Sequence, residues 1–509
     1  MRAWTSSLVL SGALAAGCVD PAAPEDAAPA EAEADDVLGA DDATAPVDAD
    51  DSGGGAREVD ARAPLDAVID RTDASGALDV VDVTLDRAAS EDAGDATGDV
   101  ARDALGDVPR DAARDAPRAP GLARPFGAHL HTYAAGTITP SSPPAAQDAA
   151  VAALYDRWKA AYLRQRCGAG RYLVDTAGDT AGATVSEAHG WGMVIVVHMA
   201  GHDPDARRIF DGMVRYYQDH PSAIDPALMA WAQGADCRNV QGADAATDGD
   251  LDIAYALLLA ERQWGNGGAV DYGALARRSM AAIARREVHP TARTLLVGDW
   301  ATEARWRDGT RLSDFMFDHL RSFRAASGDA RWDAVLARSY EVVSTLQQDF
   351  TSDGAGGRTG LLPDFAVGMN NAAPRPAPGG WLESSHDGHF YWNACRTPWR
   401  VAADHLLHGE PRAREAARRM NAWVRRATRD LPARVATGYR LDGGPIRAST
   451  EMAFVAPFAA AAAVDAANQR WLDALWAHMV DAPFTSARYY GNTIRLQVML
   501  LVSRNAWAP

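Results

Sequence analysis

Beyond its first 18 residues the 509-residue chain holds no apolar run long enough to cross a bilayer, which excludes a membrane-spanning helical domain. Cysteine is scarce, with four in the whole chain, so no disulfide-dense scaffold is encoded. Residues 19–120 contain no aromatic residue, no cysteine and no lysine, and a segment of that composition cannot bury a core. Convincing period-two alternation is scarce from residue 145 onward, which argues against a sandwich or β-barrel. No glycine-rich phosphate loop, no Ser-His-Asp pattern and no basic nucleic-acid patch is present. His189, His386 and His389 make no convincing metal spacing with any acid pair. No cofactor, metal or nucleic-acid partner is therefore expected.

What is present begins with Arg2, an apolar stretch around Leu8-Val9-Leu10, and Ala15-Ala16-Gly17-Cys18. Residues 1–18 read as a bacterial lipoprotein signal ending at an acylated Cys18; an ordinary secretory signal with Cys18 a bystander is the alternative. Residues 19–120 are dominated by Ala, Asp, Pro and Gly and carry 28 acids against eight arginines, a net charge of −20. The whole chain stands at −18 and Arg2 contributes +1, so residues 121–509 carry about +1. The acidity thus belongs to residues 19–120. They are expected to form a disordered, self-repelling linker that holds a globular domain, 121–509, away from the envelope surface.

Apolar periodicity predicts helices around 146–165, 190–200, 205–219, 249–263, 273–286, 312–326, 330–349, 397–408, 411–429, 450–466, 468–478 and 491–504. An all-α domain of about 390 residues is large for a bundle with one core, so a closed or layered arrangement is needed. Pattern alone leaves a helical barrel and an irregular helical domain equally open. The densest chemistry lies in Ala246-Thr247-Asp248-Gly249-Asp250-Leu251-Asp252-Ile253-Ala254-Tyr255, three carboxylates in five residues. This stretch runs into a helix marked by Ile253, Leu257, Ala260 and Trp264, with Thr247 or Asp248 as its predicted N-cap. A well-capped helix favoured by its dipole is the plain reading of such acids.

That stretch, Ala246 to Trp264, resembles the signature of glycoside hydrolase family 8 throughout. A second stretch, Ser186-Glu187-Ala188-His189-Gly190-Trp191-Gly192-Met193, is similar to the family's general-acid segment. Further matches follow in the family's order: Arg124-Pro125-Phe126, Leu228-Met229-Ala230-Trp231, Gly298-Asp299-Trp300, Gly360-Leu361-Leu362-Pro363-Asp364-Phe365, Arg396-Thr397-Pro398-Trp399-Arg400 and Tyr489-Tyr490-Gly491-Asn492-Thr493. The resemblance implies an all-α (α/α)6 barrel over residues 121–509, with inner helices pointing their starts at a substrate cleft. It implies Glu187 as general acid and Asp248 as a catalytic residue, often labelled the nucleophile but in an inverting mechanism holding and distorting the sugar at the cleavage point, with Asp250 and Asp252 as helix-start residues in support. If the acid segment and the Asp248 segment meet at one site, Cys167 and Cys237, which precede them, could be bridged and Cys395 left as a buried thiol. Three reduced thiols are the equal alternative.

Glycosidic cleavage with inversion needs one carboxyl to protonate the leaving oxygen and another group to activate water on the opposite face. Ser186 reads as an N-cap, and the dipole of a helix start favours the carboxylate form of Glu187, which is wrong for a proton donor. Desolvation and the negative charge of Asp248 are the expected offset. The departure from the better-known branch is Asn393, in Tyr391-Trp392-Asn393-Ala394-Cys395-Arg396, where an Asp base is usual; an amide cannot take that proton. Family members with this Asn use a Glu from a nearby loop, which makes Glu383 the leading base and Asp387 the second. Asn393 would then position the water. Arg396 is expected at the substrate, and Trp231 and Trp300 are assigned to sugar stacking, with core packing the alternative.

The resulting expectation is an exported, lipid-anchored, monomeric, inverting endo-β-1,4-glycanase. Its near-neutral domain tips the substrate towards neutral β-glucan, with chitosan second and xylan third. A surface glycan-binding protein that has lost catalysis is the rival from another class.

Overall fold

The computed structural model describes residues 122–180 and 182–509. The signal reading of 1–18 and the linker reading of 19–120 lie outside the described residues.

Among the described residues, twelve helices of seven or more residues alternate between two rings. Ser186–His198 packs on Thr247–Trp264, that on Phe317–Ser327, and then in turn on Thr397–His408, Pro457–Ala463 and Tyr489–Val502, which returns to Ser186–His198 and closes the inner ring. Each inner helix is backed by an outer one: Ala206–Asp219, Tyr272–Arg286, Arg331–Asp349, Pro411–Thr428, Gln469–Asp481 and Pro144–Tyr162, in the same order. The fold is an (α/α)6 barrel. Because inner and outer helices alternate along the chain, the inner six run the same way and gather their first turns at one end.

Composition explains which helix goes where. Every residue of Ser186–His198 and of Pro457–Ala463 is buried, as an inner helix requires. The outer helix Pro411–Thr428 buries Ala413, Ala416, Ala417, Met420 and Val424 at helical spacing and turns its arginines outward. No described helix is long and apolar enough to cross a membrane.

Each predicted helix is found, with differences at its ends. The residues expected as 450–466 form Met452–Val455 and Pro457–Ala463, broken where Pro457 lacks an N–H. Residues 312–314 are a single 3₁₀ turn, and the following helix begins at Phe317. The predicted caps do not form: Val185 and Ala246 occupy the cap positions without side-chain bonds. The Thr247 hydroxyl donates instead to the Leu296 carbonyl (2.7 Å), tying this helix start to the neighbouring segment. Cys167 and Cys237 are bridged, and Cys395 is a buried thiol.

Two glycines allow the helix starts that carry Glu187 and Asp248 to touch. A Cβ on Gly249 would lie 2.2 Å from Ser186 Oγ and 2.6 Å from its carbonyl carbon. One on Gly190 would meet Asp252 Cβ at 2.7 Å and the Gly249 carbonyl oxygen at 3.0 Å. Overpacking costs about 1–3 kcal/mol, against roughly 1 kcal/mol gained by Gly→Ala inside a helix. With backbone as the obstructing neighbour the penalty prevails, so Gly249→Ala is expected to lower the melting temperature; an unchanged or raised value in a thermal scan would contradict this contact.

Candidate active site

The site is built where the inner helices begin. The short pairing of Thr184–Val185 with Ala232–Gln233, reinforced by the Ser186 N–H donating to the Trp231 carbonyl (2.7 Å), delivers Glu187 into the first turn of its helix. Asp299 accepts from the Ala245 N–H (2.8 Å) and fixes the approach to Asp248. The strand Gly309–Arg311 pairs with Phe365–Val367 and brings Arg311 beneath the same opening.

Two guanidinium groups join the acids. Arg396 contacts Glu187 and lies 3.3 Å from Asp248. Arg311 Nη1 lies 2.8 Å from the same Asp248 oxygen, and Nη2 lies 3.4 Å from Glu383. The result is an unbroken chain of charge, Glu187–Arg396–Asp248–Arg311–Glu383, in which Asp248 and Arg311 have no exposed surface and the Glu383 side chain is 11% exposed. Asn393 closes it into a loop: its amide N–H donates to Glu383 (2.6 Å), and its amide oxygen accepts from Arg396 (2.7 Å). The expectation that Asn393 holds a water is therefore revised, since both ends of the amide are engaged by protein and its visible work is to aim Glu383.

The loop acids have distinct environments. Asp387 is fully buried, and its two oxygens accept from the N–H groups of Leu382 (2.6 Å), Glu383 (3.1 Å) and Ser384 (2.8 Å). It shapes the loop and is not free to activate water. Glu383 differs: burial pushes its carboxyl up to about 7, against the opposing pull of Arg311 and the Asn393 amide, while the nearby Asp387 and Asp248 charges add to the rise. A base poised near neutrality is what general-base catalysis asks for.

Three supporting groups escaped the sequence reading. Arg311 had no family segment to mark it. Asp364 lies inside a matched segment, yet its function shows only in space, where one oxygen accepts from the N–H groups of Tyr391, Asn393 and Ala394 (3.0, 3.1 and 2.6 Å) and forms the turn that presents Asn393 and Arg396. Gly309 admits the Trp381 ring, which a Cβ there would meet at 2.2 Å. That contact seats the Glu383 loop directly on the strand carrying Arg311.

The tryptophans divide. Trp231 is 2% exposed and its indole N–H donates to the Gln241 carbonyl (3.2 Å), so it has no face to offer a sugar. Trp300 is half-buried and packs edge-on to Trp306, which in turn packs on Trp381. Half-buried Trp392 borders a cavity of about 930 Å³ whose lining includes Asp179, Glu451, Arg488 and Tyr490. Among the described residues no group of three or more His, Cys, Asp or Glu is placed to hold a metal ion.

Comparison with known proteins identifies the family. Residues 138–504 match the model of glycosyl hydrolases family 8, and the chain belongs to that family. A beta-glucanase of Niallia circulans is 41% identical over 385 residues, covering 75% of this chain and 91% of that protein. An endoglucanase of Bacillus sp. strain KSM-330 is 34% identical over 369 residues, covering 71% of this chain and 77% of the relative. The apo structure of a beta-1,3-1,4-glucanase from Paenibacillus sp. X4 superposes with a TM-score of 0.72 at 40% identity, over 76% of this chain and all of that one. Rex8A from Paenibacillus barcinonensis, complexed with xylose, shares the fold at 20% identity, with a TM-score of 0.59 over 73% of this chain and 97% of that one. The chain is a glycoside hydrolase.

Gly309→Ala isolates the seating of the Glu383 loop. If Glu383 takes part in the hydrolysis, the variant should displace Trp381 and reduce kcat on β-glucan by about tenfold or more, since small misplacements of a reacting group are costly. Wild-type kcat in a folded Gly309→Ala enzyme would show that Trp381 does not govern Glu383.

Proposed function

We propose that the chain is an exported, inverting, endo-acting β-1,4-glucanase that cleaves cellulose-like or mixed-linkage β-glucan. The single observation that carries the mechanism is the coupling of Glu187 and Glu383 through Arg396, Asp248 and Arg311. Glu187 donates its proton to the glycosidic oxygen as the bond to the anomeric carbon breaks. Glu383 takes a proton from water, whose oxygen bonds to that carbon from the opposite face. The turnover leaves Glu187 ionised and Glu383 protonated, and exchange with solvent restores both. Asp248 fixes the two guanidinium groups beneath the cleavage point.

The substrate reading is supported by the relatives' names, two of which specify a glucanase and one an endoglucanase. Trp300 and Trp392 offer half-buried faces for sugar stacking. The cavity beside Trp392 is lined by charges of both signs, but none of Glu187, Asp248 and Glu383 lines it, so the substrate class rests on the relatives' names. Residues 1–18 serve as the signal, Cys18 carries the lipid, and 19–120 tethers the catalytic domain, which acts as a monomer.

Reducing-end release from barley β-glucan, carboxymethylcellulose, chitosan and xylan tests the substrate assignment. Turnover confined to chitosan or xylan would overturn it. Glu187→Gln should lower turnover by about two to four orders of magnitude with binding retained. Glu383→Ala should abolish hydrolysis, and azide should restore part of it; full activity in that variant would remove Glu383 as base.

The pH profile is a separate check. A base acts in its ionised form, so kcat/KM should fall as pH drops through about 7, the value set for Glu383 in the free enzyme. An acid limb in the ordinary glutamate range, about 4.3, would contradict that assignment.

A further inference from the structure

One turn below the catalytic cluster, the Thr247–Trp264 and Thr397–His408 helices meet a third inner helix, Phe317–Ser327, in a second buried ion cluster. Asp252 follows Asp248 by four residues on one helix, and Arg400 follows Arg396 by four residues into the next, so each pair lies one above the other. Asp252 and Arg400 form a two-pronged bridge at 2.5 and 3.1 Å. The third helix contributes His319, whose Nε2 lies 2.9 Å from Asp252 and whose Nδ1 lies 3.0 Å from Asp318. The imidazole lies flat on the Tyr255 ring, with centroids 3.7 Å apart and planes 5° from parallel. All four ionic groups are buried.

A neutral imidazole has one N–H, and here both ring nitrogens face carboxylates. Both contacts are hydrogen bonds only if the ring is the doubly donating cation. The cluster then holds two anions and two cations and is neutral. The ring's surroundings are Asp252 and Tyr255 from one helix, Asp318 on its own, Arg400 from the next and His198 from the Ser186 helix, with His408 near Asp318 and Tyr133 near Tyr255. Burial opposes the charge on His319, but the two carboxylates outweigh it and raise its pKa. Asp318 is correspondingly held well below the usual carboxylate range, chiefly by His319 against the cost of burial.

We propose that His319, as an imidazolium, is a positioning residue for the hydrolysis: it locks three inner helices in register through Asp252 and Asp318 and so sets the Asp248–Arg396 contact one turn above. Neither His319 nor Asp318 reaches the cleft, so their effect is exerted on geometry and not on substrate contact. The inference rests on the hydrolase reading of the upper cluster.

Steady-state kinetics of the full-length enzyme on β-glucan test it, with the parent run in parallel so that failure of the hydrolase reading shows as an inactive parent. His319→Gln should lower kcat by about tenfold or more, with KM changed less than about twofold and helicity by circular dichroism retained. Asp318→Asn keeps an oxygen acceptor for Nδ1 but removes its charge, so the imidazolium should be lost at lower pH. The alkaline limb of kcat should move down by about one pH unit. A merely structural role would lower the melting temperature of His319→Gln while leaving kcat at the parent value, and that result overturns the proposal. An alkaline limb unmoved by Asp318→Asn overturns it as well, and decides the matter alone if His319→Gln does not fold.

Discussion

The structure depends on burying Arg311 and Arg396 where the inner helices begin. Taking a guanidinium out of water costs several kcal/mol even after relaxation, and the cost is offset only when carboxylates and hydrogen bonds surround it. Arg396 meets Glu187, Asp248 and Asn393; Arg311 meets Asp248 and Glu383. Removing one partner would strand a buried charge, a change worth about 3–5 kcal/mol in comparable cases. The acids are thus held in place by the same interactions that make the arginines tolerable there. That sharing is why buried acids can occupy the hub of the helix starts without loosening it.

Loop geometry follows from the same need. Buried aspartates gather backbone N–H groups at each approach to the cluster: Asp299 before Asp248, Asp364 before Arg396, and Asp387 around Glu383. Each replaces a secondary-structure ladder that a loop lacks. Below them, Asp252, Arg400, His319 and Asp318 repeat the pattern of paired charge inside the ring. Asp252 and Arg400 sit on inner helices where no water reaches them, and each finds its opposite charge on the neighbouring helix.

Much of this was legible in the sequence because helical periodicity survives in both rings and because the Glu187 and Asp248 segments are long. Apolar spacing located every helix of the barrel, but closure of the ring came from family resemblance, since pattern records faces and not neighbours. Caps were misread at Ser186 and Thr247: the Thr247 hydroxyl donates to the Leu296 carbonyl instead, and Ser186, whose N–H extends the strand pairing to the Trp231 carbonyl, lies inside the helix one residue past the cap position. Trp231 was assigned to sugar because adjacency to a motif says nothing of depth. Asn393 was recognised as a departure, and Glu383 as the candidate to compensate for it. That the amide aims Glu383 rather than water could be read only from the Asn393–Glu383 contact. Arg311 was invisible, since a lone arginine on a short strand has no spacing to betray it.

The central claim is that two carboxyls on opposite faces of the sugar, joined by buried arginines, leave room for water to attack directly. Proton NMR of the first products released from β-glucan tests it most directly. Inversion predicts that the new reducing ends appear first as the α-anomer and reach the β-anomer only by mutarotation. First appearance of the β-anomer would require a covalent glycosyl intermediate and would contradict the account.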